Sequence, residues 1–525
     1  MQKSIIYKYF LKPVFVDLKK QFKLSFIPPL LIYLAAGVSS LTGIVGIFFI
    51  KDYLNLSAAF LAGLGFWAGI PWALKMPLGH VVDLIWNRKN ILIYIGALLI
   101  TISILIMFFL ISYTEEMIKY FPAEIWFVIS ALLAPIGYVL QDVVADAMTV
   151  EAVPTIDENY NKYSQKKIKA MHTTMQTFGR FSIIGGTLLV AVVNIYLFRD
   201  AAEMTEDQKI SMYGNIYLYA LIIPLISIMG VFLSKIVTTN TIKFTIPKPD
   251  FSIIFGSLIF VIFVSTIGLI NHPLSQEIVF LGSLGIVIFL MRNLLAKISS
   301  EMRKTIVGTA IIVFAFRSVP NVGSGMGWFE IDVLGFDQRF FSILSLISSS
   351  LTMLGIILFR KFMYENTISK IILYLSFLNA ILLLPSLAMY YGFHEWTSSI
   401  TKGIIDAKFI AILNTAIESP LGQVAMIPML AWIAKNAPVD LKATFFAVFA
   451  SFTNLALSAS NLLTKYLNQI FVITREVKDK VSNQILSNAN YDELGFLIIT
   501  VILITFLLPC LTIFTLQRSR YQSNE

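Results

Sequence analysis

Cysteine occurs once in 525 residues, at Cys510, which excludes a disulfide framework and any cysteine-built metal cluster. The 4 histidines, His80, His172, His272 and His394, are too scattered to form a ligand set. Charged residues make up only 14% of the chain, against about 25% in soluble domains. There is no Gly-x-x-x-x-Gly-Lys-Ser/Thr loop, so ATP hydrolysis has no phosphate cradle in this chain. Loops are short as well: the longest hold roughly twenty residues, far below the size of a folded domain. An enzyme is therefore not expected, and neither is a cofactor or a bound metal.

Apolar sequence fills the chain instead, at 57% of all residues, with a mean hydropathy of +0.78. It comes in runs of roughly twenty residues, each able to cross a hydrocarbon core about 30 Å thick as an α-helix. A β-barrel would show alternating segments of about ten residues. Spans are predicted at 29–50, 56–78, 90–112, 122–148, 171–198, 212–234, 251–270, 276–295, 305–328, 338–359, 369–390, 406–432, 443–466 and 494–516. The fold class is thus all-α and polytopic, with about 14 transmembrane helices. The spans at 251–270 and 276–295 are joined by 271–275 alone, so two spans and one re-entrant hairpin are both open. The layout divides into an N-terminal segment (1–28), a first six-helix bundle (29–250), an additional helix pair (251–300) and a second six-helix bundle with its tail (301–525). Two six-helix halves are the usual build of a rocker-switch carrier, with the solute near the midplane. Channels and membrane enzymes also use many spans, so motifs have to decide.

The net charge of +9 (40 Lys+Arg against 31 Asp+Glu) sits mostly in loops, where it marks orientation rather than a nucleic-acid partner. Six lysines lie in residues 1–28, and every second loop counted from there is basic: Arg88 and Lys89; Lys162, Lys166, Lys167 and Lys169; Lys243 and Lys248; Lys297, Arg303 and Lys304; Arg360, Lys361 and Lys370; Lys435 and Lys442; then Arg518 and Arg520 in the tail. The intervening loops are sparser, except 470–492, which carries Arg475, Lys478 and Lys480. The pattern places both termini in the cytoplasm and makes the number of spans even, which fourteen satisfies and twelve plus a hairpin would too. Residues 1–28 lack the h-region and cleavage site of a signal peptide. A multi-pass protein of a cytoplasmic or bacterial inner membrane is expected, monomeric, with membrane lipids and one small solute as its partners.

Certain side chains carry more chemistry than a lipid-spanning helix needs. Lys75-Met-Pro77-Leu-Gly79-His-Val-Val-Asp83, followed by Arg88-Lys89, resembles the loop signature of the major facilitator superfamily, with one extra residue before the basic pair. A glycine there lets helices approach closely, and the aspartate can cap or pair with a neighbouring helix. Gln141-Asp142-Val-Val-Ala-Asp146-Ala-Met-Thr-Val-Glu151 places Asp142 and Asp146 on one helix face and Glu151 away from it. This stretch resembles the fourth-helix signature of the folate–biopterin transporter family, a branch of that superfamily. Lys75 to Asp83 is similar to the family's Lys-Pro-x-x-Gly-x-x-x-Asp element, with the proline displaced to Pro77. Phe329-Glu-Ile-Asp-Val-Leu-Gly335-Phe336 resembles the family's segment ending in Leu-Gly-Phe, and Pro428-Met-Leu, Ala437-Pro438, Thr444 to Ser451 and Asn454 resemble its bridge between two late helices. Lys442 stands where the family carries an acid, with Asp440 nearby.

The resemblance implies a major-facilitator-type secondary carrier for pterin compounds such as folates and biopterin, with S-adenosylmethionine associated with some relatives. Another small solute on the same scaffold (a sugar, nucleotide or peptide) is the alternative. From the residues alone, Arg180 lies about ten residues into its span and Arg317 about twelve, each ~15–18 Å deep. Glu418 reaches a similar depth, with Gln176 one turn from Arg180 and Gln423 five residues beyond Glu418. Two arginine forks suit the glutamate end of a folate, and a carboxylate suits a ring's N–H donors. Arg180, Arg317, Glu418, Gln176 and Gln423 are therefore expected to line a central cavity. Mutual neutralisation of Arg317 and Glu418 is the competing reading. Asp142 and Asp146, with Lys75 as the expected partner of Asp142, either take a coupling proton or form a cytoplasmic gate with Asp83, Arg88 and Glu151. Phe178, Trp328 and Phe336 are candidate stacking platforms for a ring, and Gly185-Gly186 is expected to let helices pack closely.

Overall fold

The computed structural model of the chain describes residues 22–73, 75–153, 163–237, 251–270, 272–296, 299–429, 442–478, 484–519 and 521. The basic loops at 154–162, 238–250 and 430–441, with most of the N-terminal segment, lie outside the described residues.

The first half runs through α1 (Ile27–Val38), α2 (Gly43–Tyr53), α3 (Ala58–Ala73), α4 (Lys75–Leu84), α5 (Asn90–Ser112), α6 (Ala123–Ala152), α7 (Gln165–Leu197), α8 (Glu206–Ala220) and α9 (Ile222–Val237). The additional pair is α10 (Phe251–Leu269) and α11 (Ser275–Leu295). The second half holds α12 (Ser300–Arg317), α13 (Ser324–Asp332), α14 (Gln338–Leu358), α15 (Ile368–Leu382), α16 (Leu384–Tyr390), α17 (Ala407–Glu418), α18 (Lys442–Ile470) and α19 (Leu494–Gln517). Between α18 and α19 a two-stranded antiparallel ribbon, β1 (Val477–Lys478) and β2 (Ile485–Ser487), is the one departure from helix among the described residues that the sequence did not signal.

Ten helical stretches among the described residues are long and apolar enough to cross a membrane. Their apolar surface is largely turned outward. Phe232, Phe289 and Phe496 are each 62% exposed, which a bilayer accommodates and water would not. The remaining four expected spans differ in kind. The stretch at 305–328 breaks after Arg317, where Ser318-Val-Pro320 interrupts it, and resumes as α13. The one at 443–466 is a 29-residue helix, α18, made less apolar by a row of serines and asparagines. The pair at 251–270 and 276–295 forms two separate helices of 19 and 21 residues, long enough at 1.5 Å per residue to traverse ~30 Å each.

Within the first half, α1 packs on α6, α7 and α9, while α5 packs on α6, α8 and α9. In the second half, α19 packs on α12 and α15, and α14 packs on α17. The halves meet along two seams, α3 against α18 and α7 against α14, and the additional pair leans on α3 and α18. Glycines set the closeness of several crossings. A Cβ on Gly186 would lie 2.7 Å from the Leu34 carbonyl oxygen and 2.9 Å from Gly37 Cα, so only glycine lets α7 meet α1 here. Gly185, its neighbour, faces open space, so only one of the Gly185-Gly186 pair serves packing. Gly79 also faces open space, contrary to the close approach expected of it.

Chain-end chemistry agrees with these boundaries. Thr205 and Gln208 form a reciprocal capping box at the start of α8, and the Asp337 and Asp406 carboxylates accept from the first-turn amides of Phe340 and Phe409 at 2.7 and 2.8 Å.

Gly186→Val should therefore lower the thermal unfolding midpoint in detergent, at a cost of about 1–3 kcal/mol from overpacking. Gly185→Val should leave it unchanged. Equal effects from both would show that this crossing is not glycine-limited.

Candidate functional site

Several helices in both halves are interrupted or carry an internal proline, Pro71 in α3 and Pro509 in α19 among them. A 3-10 turn at Ser39–Thr42 separates α1 from α2, and Pro135 lies inside α6. Residues 318–323 separate α12 from α13, and a 3-10 turn at Ser419–Leu421 follows α17. Broken helices at matching places in two halves free backbone groups for a solute and mark where one binds.

Of the expected arginines, Arg317 adjoins one of these breaks, and Arg180 lies within the unbroken α7. Arg180 is nine residues from Leu189 on α7, about 180° around the helix, and Leu189 is 56% exposed toward the lipid side. The guanidinium thus lies on the inward face. Arg317 ends α12 on the same face as the buried Ile306, Ala310 and Val313. It donates from Nε to the Thr453 carbonyl of α18 at 3.1 Å, and its Nη1 lies 3.3 Å from Met426 Sδ. Each arginine lies within electrostatic range of the other, and Arg180 is also in range of Asp142. Arg317 and Glu418 form no ion pair, so the reading in which they neutralise each other does not describe this state. Glu418 closes α17 seven residues beyond buried Ala411 and is itself exposed, next to Ile417. Asn414, one turn earlier, and Gln423, just past the break, each bury a side-chain oxygen that has no partner among the described residues.

At the end of the bundle nearest the N-terminus, Lys75 bridges two acids at once. Its Nζ lies 2.6 Å from Asp142 Oδ2 and 2.7 Å from Asp146 Oδ2. Tyr33 of α1 donates to Asp146 Oδ1 at 2.6 Å, and the Gln176 amide donates to Thr149 at 3.4 Å, which ties α7 to the same turn of α6. One cation shared by two carboxylates leaves the trio a single negative charge. Glu151 pairs with Lys89 at 2.6 Å, not with Arg88, which is exposed. The Lys89 ammonium also sits 4.3 Å above the Trp86 ring. Asp83 has no ion pair among the described residues and is half-buried. The expected six-residue gate therefore resolves into two separate clusters, Lys75–Asp142–Asp146 and Lys89–Glu151.

At the opposite end lies an arrangement that sequence reasoning missed. Arg475, 3% exposed, reaches from the ribbon loop of the second half to the end of α2. It donates to the carbonyls of Lys51, Leu56 and Ile50 at 2.8 Å and of Leu54 at 2.5 Å. These carbonyls belong to the last turn of α2 and the segment just after it, where a cation also complements the helix dipole. Its guanidinium stacks 3.9 Å from the centroid of the Trp328 ring. Burial pulls its pKa down to about 10, so it is still charged at neutral pH. Alongside, Lys51 pairs with Asp332 of α13 at 2.5 Å, and Tyr491 donates to the same carboxylate at 2.6 Å. A latch thus joins the two halves at this end. The only forewarning in the sequence was the anomalous cation content of 470–492.

The aromatic candidates are mostly occupied. Phe178 packs edge-on to Phe22 at 5.6 Å, and Phe336, 1% exposed, packs on Phe340 at 4.6 Å. Both belong to the packing of their own half.

Ten helical stretches among the described residues that are long and apolar enough to cross a membrane, with charged side chains clustered between them, define an integral, multi-pass membrane protein. The chain belongs to the BT1 family, whose sequence model matches residues 36–524. A folate-biopterin transporter from Synechocystis is 21% identical over 444 residues, covering 83% of this chain and 74% of that protein. Among solved structures, a POT family transporter in complex with a thioalcohol-conjugated peptide aligns over 95% of this chain and 96% of its own, with a TM-score of 0.57 at 13% identity. The xylose transporter XylE from E. coli, in an inward-open conformation, aligns over 92% and 95% with a TM-score of 0.51 at 16% identity. The protein is a membrane transporter.

Replacing Arg475 with Met should lower the unfolding midpoint by the equivalent of on the order of 3 kcal/mol, because buried carbonyls lose their donor. Arg475→Lys should recover little, since one ammonium cannot reach carbonyls spread over residues 50–56. A melting curve identical to wild type for both would show the latch to be idle.

Proposed function

We propose that this protein is a secondary active carrier that moves a pterin- or folate-like anion by alternating access, coupled to protons or to a counter-solute. The observation that supports this most is Arg317, whose guanidinium holds the Thr453 carbonyl and has no carboxylate partner among the described residues. A guanidinium without a counter-charge in a crevice between the halves, with Arg180 as a second inward cation, favours an anion there. Planar donor forks favour a carboxylate, and the family's relative in Synechocystis is a folate-biopterin transporter.

Glu418 is assigned the coupling proton. It carries no ion pair among the described residues, so crossing between faces is cheapest when it is neutral. Asp142 and Asp146 are assigned to a gate, because Lys75 already holds both. In this scheme the Lys75 cluster fixes the shape of the first half at the cytoplasmic end, and the Arg475 latch, which joins the halves at the outer end, opens in each cycle.

Uptake of radiolabelled folate at matched expression tests the assignment. Arg180→Lys and Arg317→Lys should each reduce it on the order of tenfold or more, as a bidentate carboxylate contact is lost. Wild-type rates in both would remove the reading. Glu418→Gln should abolish accumulation driven by a pH gradient while leaving solute exchange intact. Asp142→Asn should depress both.

A further inference from the structure

A cavity of about 380 Å³ lies directly beneath the latch, bounded by α2, α3, α13 and α18. Its walls are apolar where Ile47, Ile50 and Leu61 face it, and polar where Asn321, Ser324 and Asn461 do. No charged side chain lines it. Trp328 and Ile50 belong to the cavity and to the latch at once: one carries the stacked Arg475 guanidinium, the other gives it a carbonyl.

The polar groups are largely uncommitted. The Asn461 amide and the Ser324 hydroxyl have no hydrogen-bond partner among the described residues, and Asn461 rests against Gly65, where a Cβ would sit 3.4 Å from it. Asn321 spends its side-chain oxygen on the Gly323 amide at 2.8 Å, which leaves its NH₂ group free. Gly327 presents open space to the same side. Apolar walls with two amides and a hydroxyl at the rim match a flat, uncharged heterocycle that has donors and acceptors along its edge.

Position completes the argument. Arg317 donates to the carbonyl of Thr453 on α18, and Asn461 is eight residues further along the same helix, a rise of ~12 Å. That rise is about what a solute spans when a ring, an aminobenzoyl group and an amino-acid tail are laid end to end, the aminobenzoyl group filling roughly half of it. We propose that this cavity is the ring subsite of the carrier, with Asn461, Ser324 and Asn321 reading the edge of a neutral ring whose anionic tail reaches Arg317. The inference rests on the anion-carrier reading above. It adds that the site selects elongated, two-ended solutes over a ring without a charged tail.

Binding to the purified full-length protein, measured with folate, biopterin and p-aminobenzoylglutamate, tests it. Wild type should bind folate more tightly than either fragment. Asn461→Leu and Ser324→Ala should each weaken folate on the order of tenfold, the loss of one or two buried polar contacts, while p-aminobenzoylglutamate stays within about twofold. That retained binding also reports that the variants are folded. Arg317→Lys should weaken folate and p-aminobenzoylglutamate together. If the two cavity variants bind folate as wild type does, or lose folate and the tail fragment equally, the subsite is wrong while the carrier reading stands. If wild type binds none of the three, the carrier reading itself fails and takes the subsite with it.

Discussion

An ionised side chain inside a lipid-spanning helix costs several kilocalories per mole unless it finds a counter-charge, backbone dipoles or water. This chain meets that constraint in three ways, and the rest of its architecture follows from how they are divided. Lys75 neutralises two acids within the first half. Arg475 spends its guanidinium on the carbonyls at the end of α2. Arg180 and Arg317 are satisfied only in part, and they lie in range of each other. In the proposed reading, a pair of cations left underneutralised between the halves is the place kept for an anion.

The two closed ends differ physically. The Lys75 cluster gathers α1, α4, α6 and, through Gln176, α7, all from one half, so it shapes that half rather than joining it to the other. The latch crosses between halves, with Arg475 and Asp332 from the second and residues 50–56 from the first. Breaking it requires desolvated carbonyls to lose their donor, which makes this closure the more costly of the two to open. The pair α10–α11 joins the α3–α18 seam from outside, where Lys465 pairs with Glu277 at 3.3 Å and the Gln276 amide donates to the Gly63 carbonyl at 3.1 Å.

Much of the fold was legible because hydropathy and the alternation of basic loops act over one helix at a time. The Lys75–Asp142 pair was legible as well, since both residues lie at similar depth in adjacent spans. What escaped were contacts between residues far apart in sequence. Arg475 and Lys51 are 424 residues apart, and in a linear reading Arg475 is merely a surplus cation in an outer loop. Lys89, not Arg88, is the cation that meets Glu151, and the turn at Trp86–Arg88 decides which of the two neighbours points inward. The helix breaks at Ser39–Thr42 and Ser419–Leu421 were hidden because their residues are apolar or small enough to continue a span. Ring platforms failed for the opposite reason: with 42 phenylalanines, most aromatic side chains are packing material.

The central claim is that Arg180 and Arg317 face one water-filled crevice between the halves. Cysteines at both positions, in a chain whose single native thiol is removed by Cys510→Ser, measure this directly. Water-soluble maleimides should label both sites, and a short bis-maleimide should link them. Labelling by lipid-soluble reagents alone, with no cross-link, would contradict the account.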